Sequence, residues 1–302
     1  MLCPRLVVLP WLGCVRAAFV PYEGKARWQG RRPGRWCNQR DGRPVTQPMR
    51  REPVFNIPGI VMAMLGLIVV IHVARAALNE ADDNFVVLAM AFIPDRYTAH
   101  PLDWPGGAMS AWLSPVTHML LHGDATHLAL NGASLAAFGA IIARRIGALR
   151  FLLFTLVCGG AGALTFLAFN WGVQAPLIGA SGAIAGMMAV ALRLLFSAID
   201  VSPNGFPGDL IRRAPQLVPM KTVRETLMDR RMQSATAIWL FINLLAAYGM
   251  ATPAQAGVVA WEAHIGGYFV GLLLFGLFDR PAASLSENEI KVTAGLDGPN
   301  RL

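Results

Sequence analysis

Ser181 lies in the run Gly179-Ala180-Ser181-Gly182, inside a segment apolar enough for a lipid bilayer, and His264 lies in another. A serine hydroxyl beside an imidazole is a nucleophile and its base, the pair used for acyl transfer. His127 and Asn131 stand four apart, a spacing that puts both on one face of a helix. There they could aim two donors at one oxygen, which is what a tetrahedral oxyanion requires. Small residues around a serine also suit plain helix packing, so the chemistry depends on whether the surrounding elements bring these four side chains together.

Those elements belong to a membrane. Hydrophobic residues make up 55% of the 302 and charged residues 15%, with a mean hydropathy of +0.47. Soluble domains carry about 25% charged residues. The net charge of +8 would suit nucleic acid, but its location excludes that partner. Residues 1–53 hold 11 Lys/Arg against 3 Asp/Glu, and the remaining chain has 15 of each sign. The basicity thus sits in one polar segment ahead of the first span, on the side where positive residues are retained. Cys3, Cys14, Cys37 and Cys158 show no metal spacing and no disulfide framework.

Six apolar segments approach the roughly 20 residues that cross about 30 Å of hydrocarbon. They lie near Ile57–Leu78, Ala125–Ala143, Phe151–Phe169, Ser181–Ala198, Ala235–Met250 and Val258–Phe278. The connection from Asn79 to Asp124 is too apolar for a water loop and too broken for a span, so an interfacial or partly embedded loop is expected. Arg144, Arg145 and Arg150 flank the second connection, and Arg212, Arg213, Lys221, Arg224, Arg230 and Arg231 crowd the fourth. The third and fifth have no Lys or Arg, and the first has only Arg96. This bias predicts cytoplasmic termini, with spans two, four and six running from outside to inside.

Helical rise, counted back from each basic or acidic boundary, then gives depth. Ser181 falls about 18 Å from Arg193, His264 about 21 Å from Asp279, and Asn131 and His127 about 20 and 25 Å from Arg144. Four polar residues on three spans share one layer. Gly182 and Gly186 form one GxxxG, and Gly267 and Gly271 form another three and seven residues after His264. Such patterns let backbones approach closely in lipid, enough to bring Ser181 within hydrogen-bond reach of His264. Asp124 is placed to cap the helix carrying His127.

At these residues the chain resembles the rhomboid family of intramembrane serine proteases. The matching pieces are Gly179-Ala180-Ser181-Gly182, the His122…His127…Asn131 run, and Ala263-His264 followed by Gly267 and Gly271, over roughly residues 55–280. The resemblance implies an all-α, six-helix polytopic bundle in which Ser181 is the nucleophile and His264 its base, a dyad without an aspartate. It implies an oxyanion hole of His127, Asn131 and the Ser181 backbone N–H, with His122 a structural residue beside it. No cofactor and no metal are implied. The expected substrates are transmembrane segments of other proteins, cleaved within the bilayer of a bacterial inner (cell) membrane, with the fifth span and its loop as lateral gate. The chain departs from the family pattern at Trp112-Leu113, where a Trp-Arg pair is usual, at Ala185, where many members place an aromatic, and at Ala143, where a glutamate is frequent.

Residues 1–54 read as a disordered basic cytoplasmic segment, and translation starting at Met49 would explain the composition break there. A mitochondrial transit segment is a weaker reading, since the stretch is short of Ser and lacks amphipathic periodicity. Residues 281–302 read as a cytoplasmic tail. His118 and His122, four apart, lack a third ligand for a metal. His72 and Arg75 are expected to snorkel at the outer surface, Glu262 to be interfacial, and Asn243 to make an interhelical hydrogen bond. A non-catalytic rhomboid-like protein that binds transmembrane helices is the alternative function, and a transporter with polar midplane residues a distant third.

Overall fold

The computed structural model describes residues 57–98, 103–201, 207–249 and 260–279. The expectations for residues 1–54, including Met49, and for the tail 281–302 lie outside the described residues. Regular structure among the described residues is helical, apart from one antiparallel bridge between Phe92 and Leu177.

In chain order the helices are α1 (Gly59–Ala76), α2 (Glu80–Met90), α3 (Gly107–Thr117), α4 (Ala125–Ser134), α5 (Ala140–Ile146), α6 (Ala148–Phe169), α7 (Ser181–Val201), α8 (Pro207–Arg213), α9 (Val223–Met228), α10 (Arg230–Ala247) and α11 (Trp261–Leu274). A π-helical turn, Leu135–Gly139, joins α4 and α5 into one run. Among the described residues, four elements are long and apolar enough to cross a membrane: α1, the α4–α5 run, α6 and α7. These correspond to the first four of the six expected spans. The first turn of α10 carries Arg230, Arg231 and Gln233. With its terminal turn to Leu277, α11 is an apolar helix of the shorter class, spanning about 26 Å by helical rise.

The bundle is organised along a seam where α7 meets α11 and α6. Lipid tails are as apolar as leucine, so helices in a bilayer gain by close packing rather than by escaping water. Glycine makes that packing possible here. A Cβ on Gly271 would lie 2.5 Å from the Gly186 Cα, and one on Gly267 would fall on the Gly182 carbonyl oxygen. The two GxxxG pairs therefore face each other. Helix α6 joins them through Gly162, where a Cβ would lie 2.7 Å from the Ala263 carbonyl oxygen. Below the seam, Phe151, Phe154, Met187, Val190, Leu194 and Phe275 form the buried apolar core.

At the arginine-rich end, charges counted for orientation prove to be structural. Arg145 forms a bidentate pair with Asp279 at 2.7 and 2.8 Å. It also donates to the carbonyls of Pro215 and Val218. Arg193 donates to the carbonyls of Leu272 and Lys221. It is buried rather than at a boundary, and α7 runs on to Val201, about 12 Å further. Asp229 caps α10 and receives Arg231 and Lys221. Those hydrogen bonds, Arg231's first, hold its carboxyl well below the usual range. The stability they add is present above the ordinary aspartate pKa and is lost as pH falls through the lowered one.

The seam makes a prediction about tolerance. Gly267→Ala should destabilise the protein by about 1–3 kcal/mol, the usual cost of overpacking, seen as a lower unfolding midpoint in detergent. Gly160→Ala, on the same bundle with nothing within 4 Å of the new Cβ, should match the wild type.

Candidate active site

Ser181 is the first residue of α7. A helix start leaves backbone N–H groups without intrahelical partners and carries the positive end of the helix dipole. The preceding turn needs a glycine: Gly179 has φ +108°, a conformation that residues with a Cβ rarely adopt. Its N–H is held by the His118 carbonyl at 2.9 Å.

Ser181 Oγ and His264 Nε2 are 2.7 Å apart. The seam makes this possible, because Gly267 and Gly271 follow His264 on the face that meets Gly182 and Gly186. On its far side, His264 Nδ1 lies 2.7 Å from Asn243 Oδ1. The Asn243 amide is oriented by its own helix: Nδ2 donates to the Trp239 carbonyl at 2.9 Å. The oxygen therefore faces the imidazole, and Nδ1 is the protonated nitrogen. A neutral ring then leaves Nε2 to accept from the serine hydroxyl.

His127 and Asn131 sit on α4 as their spacing requires. Asp124 caps that helix, its Oδ1 accepting the His127 N–H at 2.9 Å. This bond, the largest influence on Asp124, lowers its carboxyl pKa. The Gly123 N–H approaches His127 Nδ1 at 3.5 Å, which assigns the ring proton to Nε2. That nitrogen faces Gly179, where an added Cβ would lie only 2.6 Å away. Asn131 is buried, and its Nδ2 donates to the His127 carbonyl at 3.0 Å. A second Nδ2 hydrogen remains for another acceptor. His122 is fully buried, neither ring nitrogen making a close hydrogen bond among the described residues, with its ring 5.0 Å from that of His127. Burial first, and neighbouring His127 second, push it down to about 4, so it is neutral at physiological pH.

The loop from Asn79 to Asp124 is built rather than loose. It carries α2, α3 and 3-10 turns at Pro94–Tyr97 and His118–Leu120. Phe92 exchanges both backbone hydrogen bonds with Leu177, at 3.1 and 2.8 Å, tying this loop to the turn before Ser181. Its anchor is Arg96. The side chain is fully buried, and its guanidinium donates to the carbonyls of Leu88, Ala89, Ala91 and Pro105. The missing arginine after Trp112 is thus offset by one earlier in the loop. Arg75 also corrects its expected role. Instead of snorkelling, it pairs with Asp83 at 2.7 and 3.1 Å and donates to the His122 carbonyl. Ala185 is buried in one cluster with Met232, Tyr268 and Leu272. Glu262 accepts a hydrogen bond from Asn170 at 3.2 Å.

The rhomboid-domain family model matches residues 110–210, a stretch that holds His122, His127, Asn131 and Ser181. Over that third of the chain the sequence matches a rhomboid domain. That match supports membership of the rhomboid family and agrees with an all-helical membrane bundle. Among curated proteins none matches the chain.

Sequence reasoning missed the partnership of Asn243 with His264, although it read Asn243 as an interhelical bond. The available signal was a polar residue inside an apolar segment. Arg96 left a weaker signal, as the only basic residue in a long apolar loop.

Gly179→Ala combines a strained φ with a Cβ against His127 Nε2. It should slow covalent labelling of Ser181 by a fluorophosphonate roughly tenfold or more, the scale of a disturbed oxyanion donor, with folding in detergent retained.

Proposed function

We propose that this rhomboid-domain protein is an intramembrane serine endopeptidase that cleaves transmembrane segments of other membrane proteins. The observation that carries the reading is the 2.7 Å separation of Ser181 Oγ and His264 Nε2.

In this reaction the Ser181 oxygen attacks a scissile carbonyl carbon while its proton passes to His264 Nε2. The tetrahedral oxyanion is received by His127 Nε2–H, the free Nδ2 hydrogen of Asn131 and the Ser181 backbone N–H at the start of α7. Collapse of the intermediate expels the amine, which takes the proton from His264. Water then hydrolyses the acyl-serine by the same steps in reverse roles. His122 and Gly179 support the oxyanion side, and Gly182, Gly267 and Gly271 hold the serine helix against the histidine helix. No cofactor or metal enters the scheme.

The reading extends to the finer topology. Helices α10 and α11 serve as the fifth and sixth spans, giving a protease domain over residues 55–280 in a bacterial inner membrane with both termini cytoplasmic. The positive-inside bias of the connections supports it. A non-catalytic rhomboid-like protein that binds transmembrane helices would need no hydrogen-bonded Ser181–His264 pair.

Ser181→Ala should abolish cleavage, read as the disappearance of shed membrane-protein fragments, with the protein still folded in membrane. Equal shedding by both proteins would refute the assignment. Asn131→Ala should lower kcat by about 10²–10³, the usual cost of one oxyanion donor. Unchanged turnover would remove Asn131 from the hole.

A further inference from the structure

One rung of the contact between α10 and α11 reaches the proposed base. On α10, Thr236, Trp239 and Asn243 recur at helical spacing along one face. On α11, His264 and Tyr268 lie one turn apart. The helices pair in antiparallel order. Thr236 Oγ1 meets Tyr268 Oη at 2.7 Å, Trp239 stacks on Tyr268 with ring centroids 4.3 Å apart and planes 17° apart, and Asn243 Oδ1 meets His264 Nδ1. The opposite face of α10 exposes Ile238, Phe241 and Ile242.

We propose that Asn243 is a positioning residue for the reaction: its amide oxygen holds His264 as the Nδ1–H tautomer, turned so that Nε2 faces Ser181. This rests on the Ser181–His264 reading above. Both ends of the buried amide are in use, Nδ2 on Trp239 and Oδ1 on His264, so the amide cannot flip without opposing two carbonyl oxygens. The same bond acts again during the reaction. When Oγ bonds to the electrophile and its proton moves to Nε2, the ring becomes a cation. The Nδ1–H bond to Asn243 is then charge-assisted and stronger. An interaction that strengthens in the transition state raises kcat rather than binding. In soluble triads a third residue holds the histidine in this way, and a neutral asparagine serves in papain-like proteases. Here the third residue comes from α10, so seating α10 on α11 completes the base.

The test uses the full-length protein in detergent and a fluorophosphonate, in which Ser181 Oγ bonds to phosphorus, fluoride leaves and the proton goes to Nε2. Maximal labelling rate and half-saturating probe concentration are measured for four proteins, and the His264 ring nitrogens are followed by 15N NMR. Asn243→Leu should lower the maximal rate by about 10²-fold with little change in half-saturation; this is less than the ~10⁴ that a wrong tautomer costs a serine protease with a charged third residue. Its spectrum should show the Nε2–H tautomer gaining at the expense of Nδ1–H. Asn243→Asp, which keeps an acceptor, should stay within about tenfold of wild type. Thr236→Val, which breaks a neighbouring rung only, should label like wild type.

Wild-type rates for Asn243→Leu would overturn the proposal. So would an equal loss in Thr236→Val, since helix seating alone would then account for both. If the wild type does not label at Ser181, the protease reading fails separately, and the spectra still decide. An unchanged tautomer in Asn243→Leu overturns the role of Asn243, and a shift upholds it.

Discussion

The contact on which the molecule depends is backbone against backbone. Helix α7 lies so close to α11 that Gly186 and Gly271 leave no room between them for a methyl group. In lipid, association rests on dispersion and satisfied polar groups, and dispersion falls off steeply with a small gap. Closeness thus serves stability and chemistry together. A pair of helices separated by leucines would leave a serine and a histidine too far apart to share a proton. Helix α6 closes the third side with Gly162, making the seam a three-helix feature.

A second constraint shapes everything that is not a span. Backbone carbonyls buried with the bundle need donors, and water is scarce. The chain meets this with arginines folded inward. Arg96 gathers carbonyls from the loop above the site, and Arg145 and Arg193 gather those of the opposite connection. Arg96 ties its own loop together, while Arg145 and Arg193 join segments distant in sequence. The loop above the site in turn holds the serine turn through the Phe92–Leu177 bridge and the His118–Gly179 bond. The geometry at Ser181 therefore has supports on two sides, the glycine seam and this loop.

Much of this was legible in the residues. Apolar segments gave helices, and the paired glycines gave the partners that bring Ser181 to His264. The helix start at Asp124 followed from local capping chemistry. The misses share a cause. Arg96, Arg75, Arg145 and Arg193 read as surface charges because a sequence pattern shows that a residue is basic, not which carbonyls surround it. Asn243 was seen as a polar residue in a span, yet its partner depends on how α10 rotates against α11. The shorter or more polar helices α10 and α11 were hard to delimit for a related reason. The start of α10 is set by Asp229, which caps it, rather than by hydropathy. Ala185, where many relatives place an aromatic, is buried in one cluster with Met232 and Tyr268.

The glycine seam also bears on heredity. No residue is smaller than glycine, so every codon change that replaces Gly182, Gly186, Gly267 or Gly271 adds atoms where the neighbouring helix already stands. A polar catalytic residue can be lost with the fold intact; a seam glycine cannot be exchanged without moving a helix. Damaging natural variants should thus accumulate along a stripe that takes no direct part in bond making, and such a map would trace the line where two helices touch.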